Sequence, residues 1–185
     1  MINYIISYKH PHRHYIDFEI HTSTNGKKKM QFQLAAWRPG RYELGNFSQN
    51  IQKWHAYDEH KNALKFYKIS KDLWEVDTSK AKKISIIYNF YANKLDAGSC
   101  YLDEHQLYLN PVHCMFYIVN RINEDYSIKI KLPNDYKIVS SLKQMNNLLS
   151  AKNYDELAES PIICSNNLQY DSYIVNNINF HLYFQ

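Results

Sequence analysis

Apolar and polar residues alternate along most of this chain, and this pattern constrains the fold more than any other feature. Ile16, Phe18 and Ile20 alternate with more polar neighbours, and positions 84–90 repeat the pattern. Because successive side chains of a β-strand point to opposite faces of a sheet, a period of two predicts strands with one buried face. Many such short segments, separated by turn residues, predict an all-β fold: an antiparallel β-sandwich with one or two short helices.

Turn residues indicate which strands are neighbours. Asn25-Gly26 is the strongest short hairpin signal and separates two alternating segments, so we predict a hairpin over residues 14–35. Asn176-Asn177 lies between two apolar segments near the carboxyl end and predicts a second turn there.

Helical patterns are few and short. Residues 46–53 are compatible with a short helix. Asn153 is a suitable N-cap with Glu156 three residues later, and Pro161 ends the segment. We therefore predict a helix over residues 153–159.

The composition is that of one globular domain. The 185 residues are 45% hydrophobic and 15% aromatic, with only 4 glycines, a balance opposite to that of a disordered chain. Since no repeat and no Ser/Gly/Pro-rich linker is present, residues 1–185 are expected to form a single β-rich domain. The apolar alternation continues to Gln185, so we expect the natural protein to extend beyond it.

Charge and apolar runs limit the partners. The net charge is +4, and the densest basic run, Lys27–Lys29, follows a turn signal and is typical of a solvated tip. The basic residues form no single patch, so we expect no nucleic-acid partner. No apolar run approaches the roughly 18 residues that span a bilayer, so we expect no membrane partner. The missing signal pattern favours a cytoplasmic location, with a processed secretory form as the alternative.

Histidines are the first candidates for chemistry. His10, His12 and His14 would point the same way on an extended chain, which is a conceivable metal site. No cysteine or carboxylate in the motif completes the ligand set. An exposed turn before a strand is the simpler interpretation.

Cysteines and known catalytic motifs give no active site. Cys100, Cys114 and Cys164 lie far apart, and their odd number argues against a disulfide framework, so buried apolar roles are expected. The chain contains no H-E-x-x-H, G-x-S-x-G, Walker or G-x-G-x-x-G motif. We therefore expect no catalytic residues, no bound metal and no cofactor in this chain.

The segment from Trp37 to Tyr42 predicts a rigid corner. Pro39 fixes φ near about −65° and Gly40 permits a positive φ, which together predict a type II turn. Two large aromatic side chains flank that turn. We interpret the segment as a structural motif in which the tryptophan packs in the core and the arginines pair with acids across a domain interface. The motif comprises Trp37, Arg38, Pro39, Gly40, Arg41 and Tyr42.

This segment also carries a family resemblance. Residues Ala36–Leu44 resemble the P-x-W-x-P-G-x-Y segment of the glycyl aminopeptidase-like zinc metallopeptidases, except that Ala35 or Ala36 stands where the family has proline. Further segments resemble the amino-terminal domain of that family in order and spacing, namely Asn46–Ile51, Lys71–Val76, Tyr101–Glu104 and Tyr154–Ile162.

The resemblance implies a β-rich amino-terminal domain without catalytic residues of its own. A thermolysin-like domain carrying the H-E-x-x-H helix would follow in the same polypeptide and hold zinc. The whole protein would be an aminopeptidase that acts on peptides with free amino termini, and the present domain would support and partly shape its cleft. Related enzymes hold the substrate amine with an acidic or amide side chain from this domain, and Asp103 or Glu104 is the candidate here.

Two other interpretations remain open from the sequence. A free-standing β-sandwich module that binds carbohydrate or protein would also account for the tyrosine and tryptophan content. The third is an autonomous hydrolase with a Cys/His site, which the sequence motifs alone do not decide.

Overall fold

The computed structural model describes residues 1–96 and 98–185, which form mostly short strands. Two short α-helices are α1 (Pro111–Cys114) and α2 (Tyr154–Ala158), with 3-10 turns at Pro11–Arg13 and Phe47–Asn50. The strands are β1 (Ile2–Ser7), β2 (Tyr15–Ser23), β3 (Lys29–Gln33), β4 (Ile51–Asp58), β5 (Phe66–Lys68), β6 (Leu73–Asp77), β7 (Lys83–Tyr91), β8 (Tyr101–Leu102), β9 (Gln106–Leu109), β10 (Tyr117–Ile118), β11 (Tyr126–Ile130), β12 (Lys137–Ser140), β13 (Lys143–Met145), β14 (Leu148–Ala151), β15 (Ile162–Ser165), β16 (Gln169–Val175) and β17 (Ile178–Phe184).

The described strands form four sheets. The largest has seven strands in the order β13-β14-β11-β1-β2-β7-β4, and two sheets of four have the orders β10-β3-β6-β5 and β12-β15-β9-β8. The fourth is the hairpin β16-β17. Pairings are antiparallel except that β1 runs parallel to β11, with Tyr4 opposite Ile128. None of the helices in the described residues has the length and apolarity needed to span a membrane.

One aromatic ring joins the two principal layers. Phe116 meets Tyr88 of β7 edge to face with ring centroids 4.9 Å apart, and meets Trp74 of β6 in the same way at 5.1 Å. All three side chains are buried. Burial of each such side chain contributes about 1.5–3 kcal/mol, so this contact is a main source of sheet-to-sheet adhesion. The predicted β-sandwich is confirmed.

The predicted hairpin over residues 14–35 is wrong in its pairing, although its turn forms. Asn25 and Gly26 have φ angles of 51° and 74°, as the signal requires. However, β2 pairs with β1 and β7, whereas β3 pairs with β6 and β10 in another sheet. The Thr24 hydroxyl donates to the Ala81 carbonyl at 2.9 Å, which fixes this corner to the β6–β7 connection. The turn therefore carries the chain from one sheet to the other.

The second predicted hairpin is confirmed. β16 and β17 pair around Asn176 and Asn177, whose φ angles are 50° and 63°. Every residue of both strands is exposed. Because cross-strand partners share a face, the register gives one mainly apolar face, called here the apolar hairpin face; its apolar members are Tyr173, Val175, Ile178, Phe180, Leu182 and Phe184.

The opposite face of this hairpin turns toward the body of the domain. His181 and Tyr183 border a shallow cavity whose other wall includes Val139 and Ile163 of β12 and β15. Since side chains alternate along a strand, the apolar hairpin face is directed away from that body.

The helix predictions have different outcomes. Over residues 46–53 only Phe47–Asn50 is helical, as a 3-10 turn, and β4 begins at Ile51. Helix α2 forms as predicted, with the Asn153 side chain accepting from the Glu156 amide at 2.8 Å. The Glu156 carboxylate accepts in return from the Lys152 amide, which completes a capping arrangement close to the one expected.

Candidate functional site

The corner at residues 36–45 forms one wall of the most distinctive cavity. The Arg41 amide donates to the Arg38 carbonyl at 3.2 Å, and Gly40 has a φ of 75°, which is the geometry of the predicted turn. Trp37 departs from expectation, because it is 39% exposed instead of packed in the core, although it makes a T-shaped contact with Tyr154. Its exposure follows from the corner, which carries the chain away from the sheets at this point.

Three tyrosines hold the segment that forms the cavity floor. The hydroxyl of Tyr88 donates to the Cys114 carbonyl at 2.6 Å. Tyr154 donates in the same way to Met115 at 3.0 Å, and Tyr4 to Phe116 at 2.7 Å. All of these groups are buried, where an unpaired carbonyl is costly, so hydroxyls from β1, β7 and α2 fix the end of α1 in the core.

Helix α1 places His113 at the bottom of the cavity. The His113 side chain is buried, and the ring stacks on Phe47 with centroids 3.7 Å apart. Its Nε2 atom is buried without a hydrogen-bond partner in the described part of the chain. Burial, assisted by the nearby charges of Arg38, Arg41 and Lys94, lowers the pKa of His113 to about 4, against the opposing effect of Asp96. The imidazole is therefore neutral at physiological pH.

Charged side chains surround the opening. The cavity has a volume of about 250 Å³, and Arg38, Arg41, Lys94 and Asp96 are among its lining residues. We call it the His113 pocket. The backbone amide of Gly98 donates to the Asp96 carboxylate at 2.8 Å, and this bond is the main reason why the pKa of Asp96 falls to about 2.

The Arg38 guanidinium lies directly against Gly98. A Cβ atom on Gly98 would lie 1.5 Å from Nη1 and 2.3 Å from Cζ of Arg38. The guanidinium therefore occupies the space that any other side chain at position 98 would need. A larger residue at position 98 would displace this positive charge from its place in the pocket wall.

The predicted amine contacts lie outside this pocket. Asp103 and Glu104 occupy the β8–β9 turn, and neither is among the described residues that line the His113 pocket. Asp103 accepts from the amides of His105 and Gln106, both at 2.8 Å, so its carboxylate stabilises the turn. Glu104 is exposed, with its carboxylate 3.9 Å from His12. Their contact with a substrate amine stays a prediction.

The alternating histidines lie in an exposed turn, which is the simpler of the two sequence interpretations. Pro11–Arg13 form a 3-10 turn instead of the extended strand that the metal-site interpretation assumed. His14 has a φ of 59°, and its Nδ1 lies 2.6 Å from the Leu102 carbonyl. Within residues 1–96 and 98–185 no three histidine, cysteine or acidic side chains are grouped closely enough to hold a metal.

The cysteines are buried thiols, as predicted. Cys100, Cys114 and Cys164 are all unpaired and buried. Burial raises the pKa of Cys114 and raises that of Cys164 to about 12. A nucleophilic cysteine needs the opposite shift, so Cys114 and Cys164 do not fit the Cys/His site of the third interpretation.

The sequence reasoning missed His113, Phe47, Lys94 and Asp96. A local signal existed only for the helix, since Asn110-Pro111 is a typical start with proline at the first position. The pocket depends on the contacts of Phe47 with His113 and of Arg38 with Gly98, which lie sixty or more positions apart and which no local motif encodes.

The neutral state of His113 gives a pH-dependent prediction. Its pKa is about 4 in the folded protein and near 6.5 when exposed. The unfolded chain therefore binds a proton first as the pH falls, and stability is lost between these values. From about pH 7 to about pH 5, we expect His113 to account for a loss of about 2 kcal/mol in the free energy of unfolding.

Urea unfolding at both pH values measures this loss. In a His113→Gln variant the loss in the free energy of unfolding should be smaller by the contribution of His113, because glutamine does not titrate. Equal losses in the two proteins would contradict the buried neutral imidazole.

Comparisons with known proteins place this fold. A search of the curated proteins finds no match. Among solved structures, the chain is similar to an aminopeptidase N family protein from Idiomarina loihiensis, with a TM-score of 0.88 and 23% identity over 99% of this chain and 32% of that one. It is also similar to an M1 zinc metallopeptidase from Deinococcus radiodurans, with a TM-score of 0.51 and 7% identity over 97% of this chain and 45% of that one.

At these identities the likeness concerns the fold, and this chain spans less than half the length of either protein. The family assignment comes instead from a match between the sequence and a family model. The family model described as the peptidase M61 N-terminal domain matches residues 3–166, which is most of the chain. The chain therefore belongs to the peptidase M61 N-terminal domain family.

Proposed function

We propose that this chain is the non-catalytic amino-terminal domain of a zinc aminopeptidase, and that it supports and partly shapes the cleft of a following catalytic domain. The observation that carries the proposal is the apolar hairpin face. Six large apolar side chains lie on one side of an exposed two-stranded ribbon, and such a ribbon is marginally stable by itself in water. A surface of this kind is normally covered by a partner.

The occupant we propose is the catalytic domain of the same polypeptide. The family match ends at residue 166, whereas the hairpin begins at Gln169. The Idiomarina protein aligns with 99% of this chain, hairpin included, over 32% of its own length. In the Idiomarina protein, most of the polypeptide therefore lies outside the part that resembles this chain. A corresponding part of the present protein would be available to cover the hairpin. The free-standing binding module is less favoured, because it would leave this surface in water.

Zinc and substrate chemistry would belong to the following domain. The M1 protein from Deinococcus radiodurans is described as a zinc metallopeptidase, which supports zinc in the natural protein to which this domain belongs. We further propose that Glu104, more than Asp103, offers a carboxylate to the amine of a peptide substrate. Its side chain is exposed, whereas that of Asp103 is held by two backbone amides.

Substitutions in the hairpin test the docking role. In the natural full-length polypeptide, the double change Phe180→Ser and Leu182→Ser is expected to lower the Tm and reduce peptide hydrolysis, because each docked side chain contributes about 1.5–3 kcal/mol. In the isolated 185-residue chain the same change should leave the Tm nearly unchanged, since both side chains are exposed there. Differential scanning calorimetry and a peptidase assay measure the two effects.

Ile174→Ser provides the matched control. Ile174 is 71% exposed and alternates onto the opposite face of the hairpin. Its loss should have little effect in either protein. Equal effects of the double change and the control on the full-length polypeptide would argue against docking through the apolar hairpin face.

A further inference from the structure

Two of the three buried thiols lie next to each other in the core. The Cys100 and Cys114 thiols both donate to the Asn110 carbonyl, at 3.6 and 3.4 Å. The Asn110 amide in turn donates to the Cys100 sulfur at 3.4 Å. After burial, the nearness of the Cys100 thiol is the next cause that raises the pKa of Cys114. We call these two residues the Cys100–Cys114 pair.

Local structure brings the two positions together. Asn110 is the N-cap of α1, so one helical turn places the Cys114 thiol against the Asn110 carbonyl. On the other side, β8 and β9 form a hairpin in which Tyr101 is opposite Tyr108. This hairpin returns the chain from Cys100 to the start of α1. The pair is therefore held by one short hairpin and one turn of helix.

The third cysteine does not belong to this arrangement. Cys164 lies in β15, opposite Leu107 of β9. Burial alone raises the pKa of Cys164, whereas a neighbouring thiol contributes at Cys114. An oxidant that acts on the folded domain should therefore distinguish the pair from Cys164.

Burial determines when an oxidant can reach the pair. The Cys100 and Cys114 side chains are only 2% and 0% exposed, so reaction requires an opening of this part of the domain. A disulfide that forms during such an opening remains if it fits the closed structure, because it then stabilises the fold.

We propose that Cys100 and Cys114 are an oxidation site, at which a disulfide oxidant of the glutathione class forms an intramolecular disulfide and leaves Cys164 as a thiol. The thiolate of one cysteine attacks a sulfur of oxidised glutathione and releases one reduced glutathione. The second cysteine thiolate then attacks the protein sulfur of the mixed disulfide and releases the other. The two protein thiols lose two electrons and two protons, which the two glutathione molecules take up.

The disulfide would connect the wall and the floor of the His113 pocket. Cys100 directly follows Ser99, which lines the pocket, and Cys114 directly follows His113. Oxidation should therefore stabilise this region and raise the Tm of the chain by about 5 °C or more, as calorimetry measures. This effect is independent of the proposed docking face, since both thiols lie in the core of the domain itself.

Thiol exchange at equilibrium tests the proposal. The 185-residue chain is incubated with reduced and oxidised glutathione in urea just below its unfolding midpoint, where molecules open and close repeatedly. After free thiols are alkylated, trypsin leaves both cysteines on one peptide, residues 95–121, since no lysine or arginine lies between them. Cleavage after Glu104 then separates Cys100 from Cys114 unless a disulfide joins them. Mass spectrometry is expected to show the joined pair, with Cys164 alkylated.

The same incubation well above the midpoint shows what nearness in the sequence alone produces. Below the midpoint, the equilibrium constant for forming the Cys100–Cys114 disulfide should be larger by about tenfold or more, because folding favours a bond that fits the native structure. Cys164→Ser is the matched control and should form the disulfide to the same extent. Cys114→Ser should leave Cys100 as a thiol or as a mixed disulfide with glutathione.

Four results would overturn the assignment. These are persistence of both thiols below the midpoint, equal equilibrium constants above and below it, disulfides that include Cys164, or a lower Tm of the oxidised chain.

Discussion

Replacing Arg121 with methionine is expected to lower the free energy of unfolding by about 3 kcal/mol, a large share of what a domain of this size has. The Arg121 side chain is only 5% exposed and pairs with Glu124 at 2.6 Å. It also donates to the Thr22 hydroxyl and the Ser23 carbonyl, both at 2.8 Å. Methionine keeps the packing of the stem but leaves these acceptors without their donor.

Urea unfolding of the variant at neutral pH measures the loss. Lys29→Met is the control, because Lys29 also pairs with a carboxylate, that of Glu75, but the lysine side chain is 70% exposed and Glu75 keeps a hydrogen bond from Gln31, so the midpoint should shift much less. The Arg121 contact lowers the pKa of Glu124 to about 2. This part of the stability is present above the usual pKa near 4.5 and is lost as the pH falls toward 2. Equal midpoint shifts in the two variants would contradict the account.

Removing the Tyr88 hydroxyl is expected to cost about 2 kcal/mol, because Tyr88→Phe leaves the Cys114 carbonyl buried without a donor. Since this carbonyl lies next to His113, the variant should also change the NMR signals of the His113 ring. Thermal or urea unfolding gives the first effect, and NMR gives the second.

Tyr126→Phe is the matched control for this experiment. Tyr126 is equally buried, but its hydroxyl has no hydrogen-bond partner in the described residues. Its removal should be neutral or slightly stabilising, because no contact is lost and a buried polar group disappears. A similar loss of stability in both variants would mean that the tyrosine hydroxyls do not hold the end of α1.

Local patterns predicted the strands of this fold but not all of their partners. At Asn176-Asn177 the turn and the pairing agree, because β16 and β17 form a two-stranded sheet of their own among the described residues. At Asn25-Gly26 the same kind of turn forms, yet β2 pairs with β1 and β7 and not with β3, the strand that follows the turn. A turn signal reports the backbone conformation of two residues, whereas pairing depends on which apolar faces are buried together.

The candidate site was predictable only in part. The corner at Pro39-Gly40 follows from the φ preferences of its two residues. The resemblance of several segments predicted the correct family for the chain. The neighbourhood of Arg38, Gly98 and His113 did not follow, because Arg38 is sixty positions from Gly98 and approaches it only in the folded chain. Trp37 was expected in the core because of its size, but its position at a corner leaves it partly in water.

Amide hydrogen exchange of residues 169–184 tests the central claim most directly, when measured on the isolated chain and on the natural full-length polypeptide. In the isolated chain these amides should exchange rapidly, as expected for an exposed two-stranded ribbon. In the full-length polypeptide they should be strongly protected, because in the proposed arrangement a following catalytic domain covers the apolar hairpin face. Rapid exchange of the hairpin in both proteins would contradict the account.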